Sequence, residues 1–305
     1  MRSINLTSQT NTQFFHIPNI YDYFELMKPR VMSLVIFTTI SGMYLAPSKI
    51  HPVLSFFSIL AIALGAGSAG AINQWIDKDI DKLMERTRKR PIPSGRVDPA
   101  EALTFSLVVS LISIIILGLS SNWFAASLLF FTIFFYSVIY SIILKRRTSQ
   151  NIVIGGAAGA LPPVIGWVAM TGNITYFPII LFMLIFLWTP PHFWALALVK
   201  SEDYKKAGIP MMPNVVGQSS TKNQILIYSI LVLLCSITPF FLGYAGYVYF
   251  VSALFMSSIF LIFSFALIIL PEKKLEMTLF GYSIFYLFGI FISLMVDKFI
   301  NGFQL

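Results

Sequence analysis

The chain has 305 residues, 57% of them hydrophobic, 15% aromatic and only 11% charged. Soluble domains carry roughly 25% charged residues, so this composition excludes an ordinary soluble protein. It also argues against reading the net charge of +8 as a nucleic-acid surface. The lone Cys235 sits in an apolar stretch, cannot form an internal disulfide, and reads as a packed small residue.

In chain order, residues 1–25 are a polar N-terminal tail without the apolar core of a cleavable signal peptide. Its Arg, Ser and Thr leave a mitochondrial address open, but a bacterial inner membrane fits the chain better. Nine apolar stretches follow, each near the roughly 20 residues that cross hydrocarbon: 31–46, 52–74, 100–119, 123–143, 151–170, 176–199, 224–242, 247–270 and 277–296. They predict one all-α membrane domain over 26–300, closed by a short tail at 301–305. With the N-terminus in the cytoplasm, 19 of the 21 Lys and Arg fall in inside segments, and only Lys49 and Lys298 fall outside. That asymmetry is the positive-inside rule, and it places the C-terminus outside. Every acidic residue except Asp297 is also inside, and none is near the middle of a span, unlike the carboxylates of proton-coupled transporters.

Small residues mark close helix contacts: Ala63, Gly67 and Ala71 in the second span, and Gly155, Gly156 and Gly159 in the fifth. Pro162–Pro163 and Pro190–Pro191 are expected to break or kink the fifth and sixth spans.

Charge gathers in two inside loops. The first, NQWIDKDIDKLMERTRKRPIPSG (73–95), spaces Asn73, Asp77 and Asp81 at i, i+4, i+8, along one face of a helix. Three oxygen-bearing side chains in a row suit Mg²⁺, which takes hard oxygen ligands and often shares them with a phosphate. The adjoining cations suit the phosphate's remaining charge. Asp79 points to another helical face and reads as solvated charge. The second loop, KSEDYKKAGIPMMPNVVG (200–217), repeats the recipe with Glu202 and Asp203 beside Lys205 and Lys206. Four crossings separate the loops, so both emerge on one face. The pattern points to diphosphate chemistry on an oily substrate.

These residues resemble the UbiA superfamily of intramembrane prenyltransferases, whose first aspartate motif is NxxxDxxxD. Six further blocks resemble its haem-farnesylating branch: MKPRVMSLV (27–35), RTRKRPIPSGRV (86–97), LKRRTSQNIVIGG (144–156), GALPPVIGW (159–167), PPHFWALAL (190–198) and EDYKKAGIPMMP (202–213). The resemblance implies a nine-helix bundle with a central cavity open to the cytoplasmic side. It implies transfer of the farnesyl group of farnesyl diphosphate to a vinyl group of haem B, with water addition, giving haem O. It further implies Mg²⁺ at Asn73, Asp77 and Asp81, with Asp203 serving a second metal or the other side of the diphosphate. Asp77, Asp81 and Asp203 would then be catalytic, and Arg30, Arg86, Arg90, Lys145, Arg146 and Lys205 would bind diphosphate.

Two departures stand out. Tyr140 and Lys145 are one residue farther apart than the superfamily's YxxxK, and Ala207 replaces the second acid of its DxxxD. Trp167, Trp188, Phe193 and Trp194 are candidates to shield an allylic cation. Of the three histidines, His16 and His51 read as surface residues. His192 reads either as a haem iron ligand or as a hydrogen-bonded residue of the Pro190–Pro191 kink. Besides the lipid bilayer and the two substrates, a partnership with a haem A synthase is open. A prenyltransferase acting on a quinone precursor such as 4-hydroxybenzoate, and a transporter of an anionic metabolite, are the competing readings.

Overall fold

A computed structural model describes residues 18–270 and 274–302. The tail through residue 17, with His16, the segment 271–273 and the last three residues lie outside the described residues. The helices are α1 (Ile20–Leu26), α2 (Pro29–Leu45), α3 (Pro52–Ile76), α4 (Lys78–Leu83), α5 (Pro99–Ser120) and α6 (Trp123–Phe134). A π-helix (Phe135–Leu144) follows, then α7 (Asn151–Ala160), α8 (Pro162–Thr171), α9 (Tyr176–Val199), α10 (Ser201–Lys206), α11 (Met212–Val216), α12 (Gln218–Phe241), α13 (Tyr247–Ile269) and α14 (Lys274–Asn301). Among the described residues eight helical segments are long and apolar enough to cross a membrane, and α2, at 17 residues, is a shorter apolar helix. Each of the nine expected spans corresponds to one of them.

Local chemistry sets the ends. Proline opens α2, α3, α5 and α8, where its missing N–H is harmless. Asp98 Oδ1 accepts from Ala100 N at 2.7 Å to cap α5, and Asn122 Oδ1 accepts from Ala125 N at 2.8 Å to cap α6. The fifth span does break, at Leu161 between α7 and α8. The sixth does not: α9 runs through Pro190–Pro191 as one helix.

The expected polar tail 1–25 is also shortened. Asn19 and Asp22 form a capping box that starts α1 at Ile20, and Gln74 Nε2 donates to Leu26 O at 2.9 Å. Arg96 ties the helix down from the first charged loop by donating to Asp22 and, at 2.8 Å, to Glu25. Ordered structure therefore precedes residue 26 because this short helix has partners on α3 and in the loop.

Helix packing brings backbone onto backbone where glycines allow it. α2 crosses α8 at a reciprocal pair: a Cβ on Gly42 would fall 2.0 Å from Pro163 O, and one on Gly166 would fall 2.3 Å from Thr39 O. α3 lies against α5, and α9 touches α7, α12 and α14. α14 returns to α2 and closes the bundle. Hydroxyl pairs tie helices across the apolar interior. Ser68 meets Ser110 at 2.8 Å and Ser229 meets Ser264 at 2.7 Å, while Tyr286 Oη lies between Ser236 and Ser257.

Opposite the charged loops, the end of α14 acts as a clasp. Buried Asp297 accepts from the backbone N–H groups of Gly246 and Tyr249 at the start of α13, at 2.5 and 3.2 Å. The next residue, Lys298, donates to the carbonyls of Tyr44, Leu45 and Ala46 at the end of α2, at 3.0, 2.8 and 3.0 Å. A carboxylate on a helix N-terminus and an ammonium on a helix C-terminus both oppose the helix dipoles.

Asp297→Ala would leave buried donors unsatisfied at a cost of about 2 kcal/mol. Thermal unfolding in detergent should fall by roughly 3 °C. Lys298→Met, at a more exposed position, should shift it about half as far. An unchanged melting temperature for Asp297→Ala would show that the clasp contributes little.

Candidate active site

The spacing of Asn73, Asp77 and Asp81 survives the end of α3. Asp77 N donates to Asn73 O at 3.0 Å and Asp81 N to Asp77 O at 2.8 Å, so the i to i+4 ladder continues into α4. All three side chains are buried, and Asp77 has no exposed surface. Carboxylates removed from water need partners, and here cations from distant segments supply them. Lys145 Nζ sits 2.5 Å from Asp77 Oδ2, and Arg90 Nη1 is 2.7 Å from Asp81 Oδ2. Asn73 Nδ2 donates to Asp77 Oδ2 and to Ser141 Oγ, both at 2.8 Å.

A third cation in the cluster, Lys28, received no role in the sequence analysis. Its Nζ donates to Asn73 Oδ1 at 2.6 Å. Burial, reinforced by the charges of Arg90 and Lys145, pulls its pKa down to about 7, against the upward pull of Asp77 and Asp81. Its only sequence signal is membership of the MKPR block at the start of α2.

The π-helix delivers the other side. Lys145 N donates to Tyr140 O at 2.9 Å, an i to i+5 bond. The extra residue between Tyr140 and Lys145 is thereby taken up in a wider turn, and Lys145 still reaches Asp77. Tyr140 stacks on Tyr136 with centroids 5.4 Å apart. A Cβ on Gly155 would fall 2.2 Å from the Tyr140 ring, so the glycine there is the space the tyrosine uses.

The two charged loops meet as expected from one face. Ile80 and Met84 of the first pack with Tyr204, Ile209 and Met211 of the second in one apolar cluster. Asp203 is half-buried on α10. Among the described residues no three His, Cys, Asp or Glu side chains gather as a metal cluster.

Other candidates are dispersed. Arg146 forms a bidentate pair with Asp79 at 2.7 and 2.8 Å, so Asp79 is not merely solvated. Those hydrogen bonds hold the Asp79 carboxyl below its usual range. Arg146 also stands 4.0 Å from Asp77. Arg30, Arg86 and Lys205 are exposed and make no ion pair among the described residues. His192 Nδ1 is 2.6 Å from Ser283 Oγ, and its ring is stacked between Trp188 and Phe280 at 4.3 and 4.6 Å. Trp167 and Trp194 are fully buried, and Phe193 is exposed.

The donor set suits Mg²⁺. Two carboxylates and an amide oxygen are the kind of partial shell that ion shares with phosphates. Asp77 Oδ1 is buried without a hydrogen-bond partner among the described residues, which leaves a hard acceptor for a cation. Lys28, Lys145 and Arg90 around it suit a diphosphate.

Comparison with known proteins gives the family and the fold. Residues 35–293 match the UbiA prenyltransferase family. A protein of Rhizobium leguminosarum bv. trifolii named Protoheme IX farnesyltransferase is 54% identical over 91% of this chain and 89% of its own length. One of the same name from Agrobacterium fabrum is 55% identical over the same shares. Among solved structures, one concerned with digeranylgeranylglyceryl phosphate synthase superposes with a TM-score of 0.76 at 19% identity, covering 91% of this chain and 97% of the other. A UbiA homolog from Archaeoglobus fulgidus bound to DMAPP and Mg²⁺ superposes with a TM-score of 0.60 at 16% identity, covering 90% and 99%. The chain belongs to the UbiA prenyltransferase family, a family of multi-pass membrane proteins.

If the cluster holds a metal–diphosphate pair, Mg²⁺ with inorganic diphosphate at about ten times its Kd should stabilise the protein by about 1.4 kcal/mol. Asp77→Asn should abolish that thermal shift, whatever it does to the ligand-free melting temperature. An undiminished shift in the variant would remove Asp77 from the binding site.

Proposed function

We propose that this chain transfers the farnesyl group of farnesyl diphosphate to a vinyl group of haem B, with addition of water, giving haem O and diphosphate. The observation that carries the acceptor is the identity of about 55%, over some nine-tenths of the chain, with proteins named Protoheme IX farnesyltransferase. The observation that carries the chemistry is the buried Asn73–Asp77–Asp81 row ringed by Lys28, Lys145 and Arg90.

The reaction needs no protein nucleophile. The bond between the allylic carbon and the diphosphate oxygen breaks, and its electron pair leaves with the oxygen. The electron-rich vinyl group attacks the allylic cation, forming the new carbon–carbon bond. Water then captures the cation left on the haem side and releases one proton. What the protein must supply is stabilisation of the charge on the departing diphosphate, which is electrostatic catalysis.

Mg²⁺ would neutralise diphosphate charge as a Lewis acid when bound, and Asn73, Asp77 and Asp81 are the residues to hold it. Asp203 would serve a second metal or the far side of the diphosphate, the metal-bearing role left to α10. Lys145 and Arg90 bind diphosphate oxygens, with Arg86 and Lys205 of the two loops, Arg30 at the start of α2 and Arg146 after the π-helix as the outer cations. His192 has Nδ1 held by Ser283, and among the described residues Nε2 has no hydrogen-bond partner. That leaves Nε2 to ligate haem iron, with Trp188 beside it as an apolar wall. The asymmetry of Lys and Arg supports a cytoplasmic N-terminus, an outer C-terminus and a cavity opening on the charged-loop face. Bacterial relatives favour the inner membrane. One membrane domain of about 26–300, extended at its front by α1, carries the activity, and a haem A synthase is the partner that would take the product.

The test is haem extraction and chromatography from membranes of an oxidase-deficient host expressing this chain or its Asp77→Ala variant. A farnesylated hydroxyethyl haem that disappears in the variant is the expected result. If haem B stays unmodified while farnesyl diphosphate is consumed onto another acceptor, such as 4-hydroxybenzoate, the haem assignment falls. If well-folded protein turns over neither, the enzyme reading falls with it.

A further inference from the structure

We propose that Lys28 is a catalytic cation of the diphosphate site, held on Asn73 in the ligand-free protein and passing to the departing diphosphate in the reaction. This rests on the transfer reaction proposed above.

The backbone gives the first sign. Lys28 has φ 54° and ψ 63°, and it is the one non-glycine residue with positive φ among the described residues. A left-handed conformation is unfavourable for an ordinary L residue. Pro29 does not demand it, because a residue before proline is pushed to the extended region, not to the left-handed one. The conformation also ends α1, where the Lys28 N–H donates to Glu25 O at 3.1 Å, but that position usually falls to glycine, and the lysine side chain makes no cap hydrogen bond to α2. What the conformation achieves is aim. From the start of α2, the side chain passes along Gly70 of α3, where a Cβ would sit 3.4 Å from Lys28 Cδ, and ends on Asn73.

The second sign is the partner. Asn73 is oriented by its amide, whose Nδ2 donates to both Asp77 and Ser141, so Oδ1 is the atom presented to Lys28. Lys145 and Arg90 each hold a carboxylate, but Lys28 makes no ion pair among the described residues and rests on a neutral oxygen. The Tyr136 ring lies 5.8 Å from Nζ, and the Asp77 and Asp81 carboxylates attract the ammonium only from beyond ion-pair distance. An ammonium has three donors, and the bond to Asn73 uses one. Of the three cations, Lys28 therefore gives up least on turning to an anion. Its departure also frees Asn73 Oδ1, an oxygen of the row that suits Mg²⁺. When the allylic carbon–oxygen bond breaks and the electron pair stays with the diphosphate, Nζ–H donates to the oxygens that gain charge. No proton need be transferred.

Strain kept for function gives a signature that a structural tie does not. Lys28→Gly removes the cation and suits the left-handed backbone, while Lys28→Arg keeps charge with altered reach. We expect Lys28→Gly to melt, ligand-free, within about 3 °C of the wild type or above it. It should bind inorganic diphosphate with Mg²⁺ at least about tenfold more weakly by calorimetry. Its kcat/KM for farnesyl diphosphate should fall about a hundredfold. Lys28→Arg should recover part of the affinity. The proposal is overturned if Lys28→Gly binds diphosphate and turns over within about threefold of the wild type. It is also overturned if Lys28→Gly, Lys28→Met and Lys28→Arg all lose melting temperature in step with affinity, for then Lys28 is a structural tie. Should the wild type bind diphosphate through Lys28 yet make no farnesylated haem, the acceptor reading fails and this one stands.

Discussion

The charged face is organised by one constraint: the Asp77 carboxylate has no exposed surface and must be compensated where it is buried. An unpaired ion in such a place costs several kcal/mol, so partners have to arrive from elsewhere in the chain. Asn73 comes from the same helix, Lys145 from the end of the π-helix, and Lys28 reaches the row through Asn73. Three segments far apart in sequence are thus tied to one oxygen-bearing row. Those ties are hydrogen bonds and ion pairs, a kind of contact for which a charged ligand can compete, as it cannot for apolar packing.

The opposite face uses the same kind of chemistry for a different end. Asp297 and Lys298 meet backbone groups at helix termini, and nothing in that arrangement leaves a charged atom in want of a ligand. Asp77 Oδ1, by contrast, is buried without a hydrogen bond among the described residues. A clasp satisfied by backbone stabilises the closed end of the bundle. A cluster satisfied by side chains, with one buried carboxylate oxygen left without a hydrogen bond, keeps the charged face polar inside. The glycine crossing of α2 and α8 links the two faces, since α2 carries Lys28 at one end and takes the Lys298 cap at the other.

Much of this was legible in the sequence because its rules are local. Apolar length marked the spans, and i, i+4, i+8 spacing marked Asn73, Asp77 and Asp81 as one row. The parity of crossings placed both loops on one face, where Ile80 and Tyr204 now share a cluster. What stayed illegible depends on geometry that spacing does not encode. Lys28 needs a left-handed backbone and the juxtaposition of α2 with α3 before it can touch Asn73. The pairing of Asp79 with Arg146 joins residues 67 apart, so a solvated reading was the natural one. α1 was lost in the polar tail because seven residues with a single fully buried leucine give little apolar period.

The Tyr140–Lys145 spacing shows how a local rule can mislead and still be right in outcome. Counted on an α-helix, five residues would turn Lys145 away from the face that carries Tyr140, and the pair would look unrelated. The backbone instead widens to i to i+5 bonds over 135–144, so the added residue lengthens the turn without rotating the lysine out of the site. Ser141 Oγ, inside the same segment, donates to Tyr136 O and accepts from Asn73 Nδ2. Gly155 gives the Tyr140 ring its space. The wider turn that absorbs an added residue packs more easily where a neighbour without a Cβ and a polar anchor are both at hand. Here both are, and they lie beside the carboxylate that Lys145 has to reach.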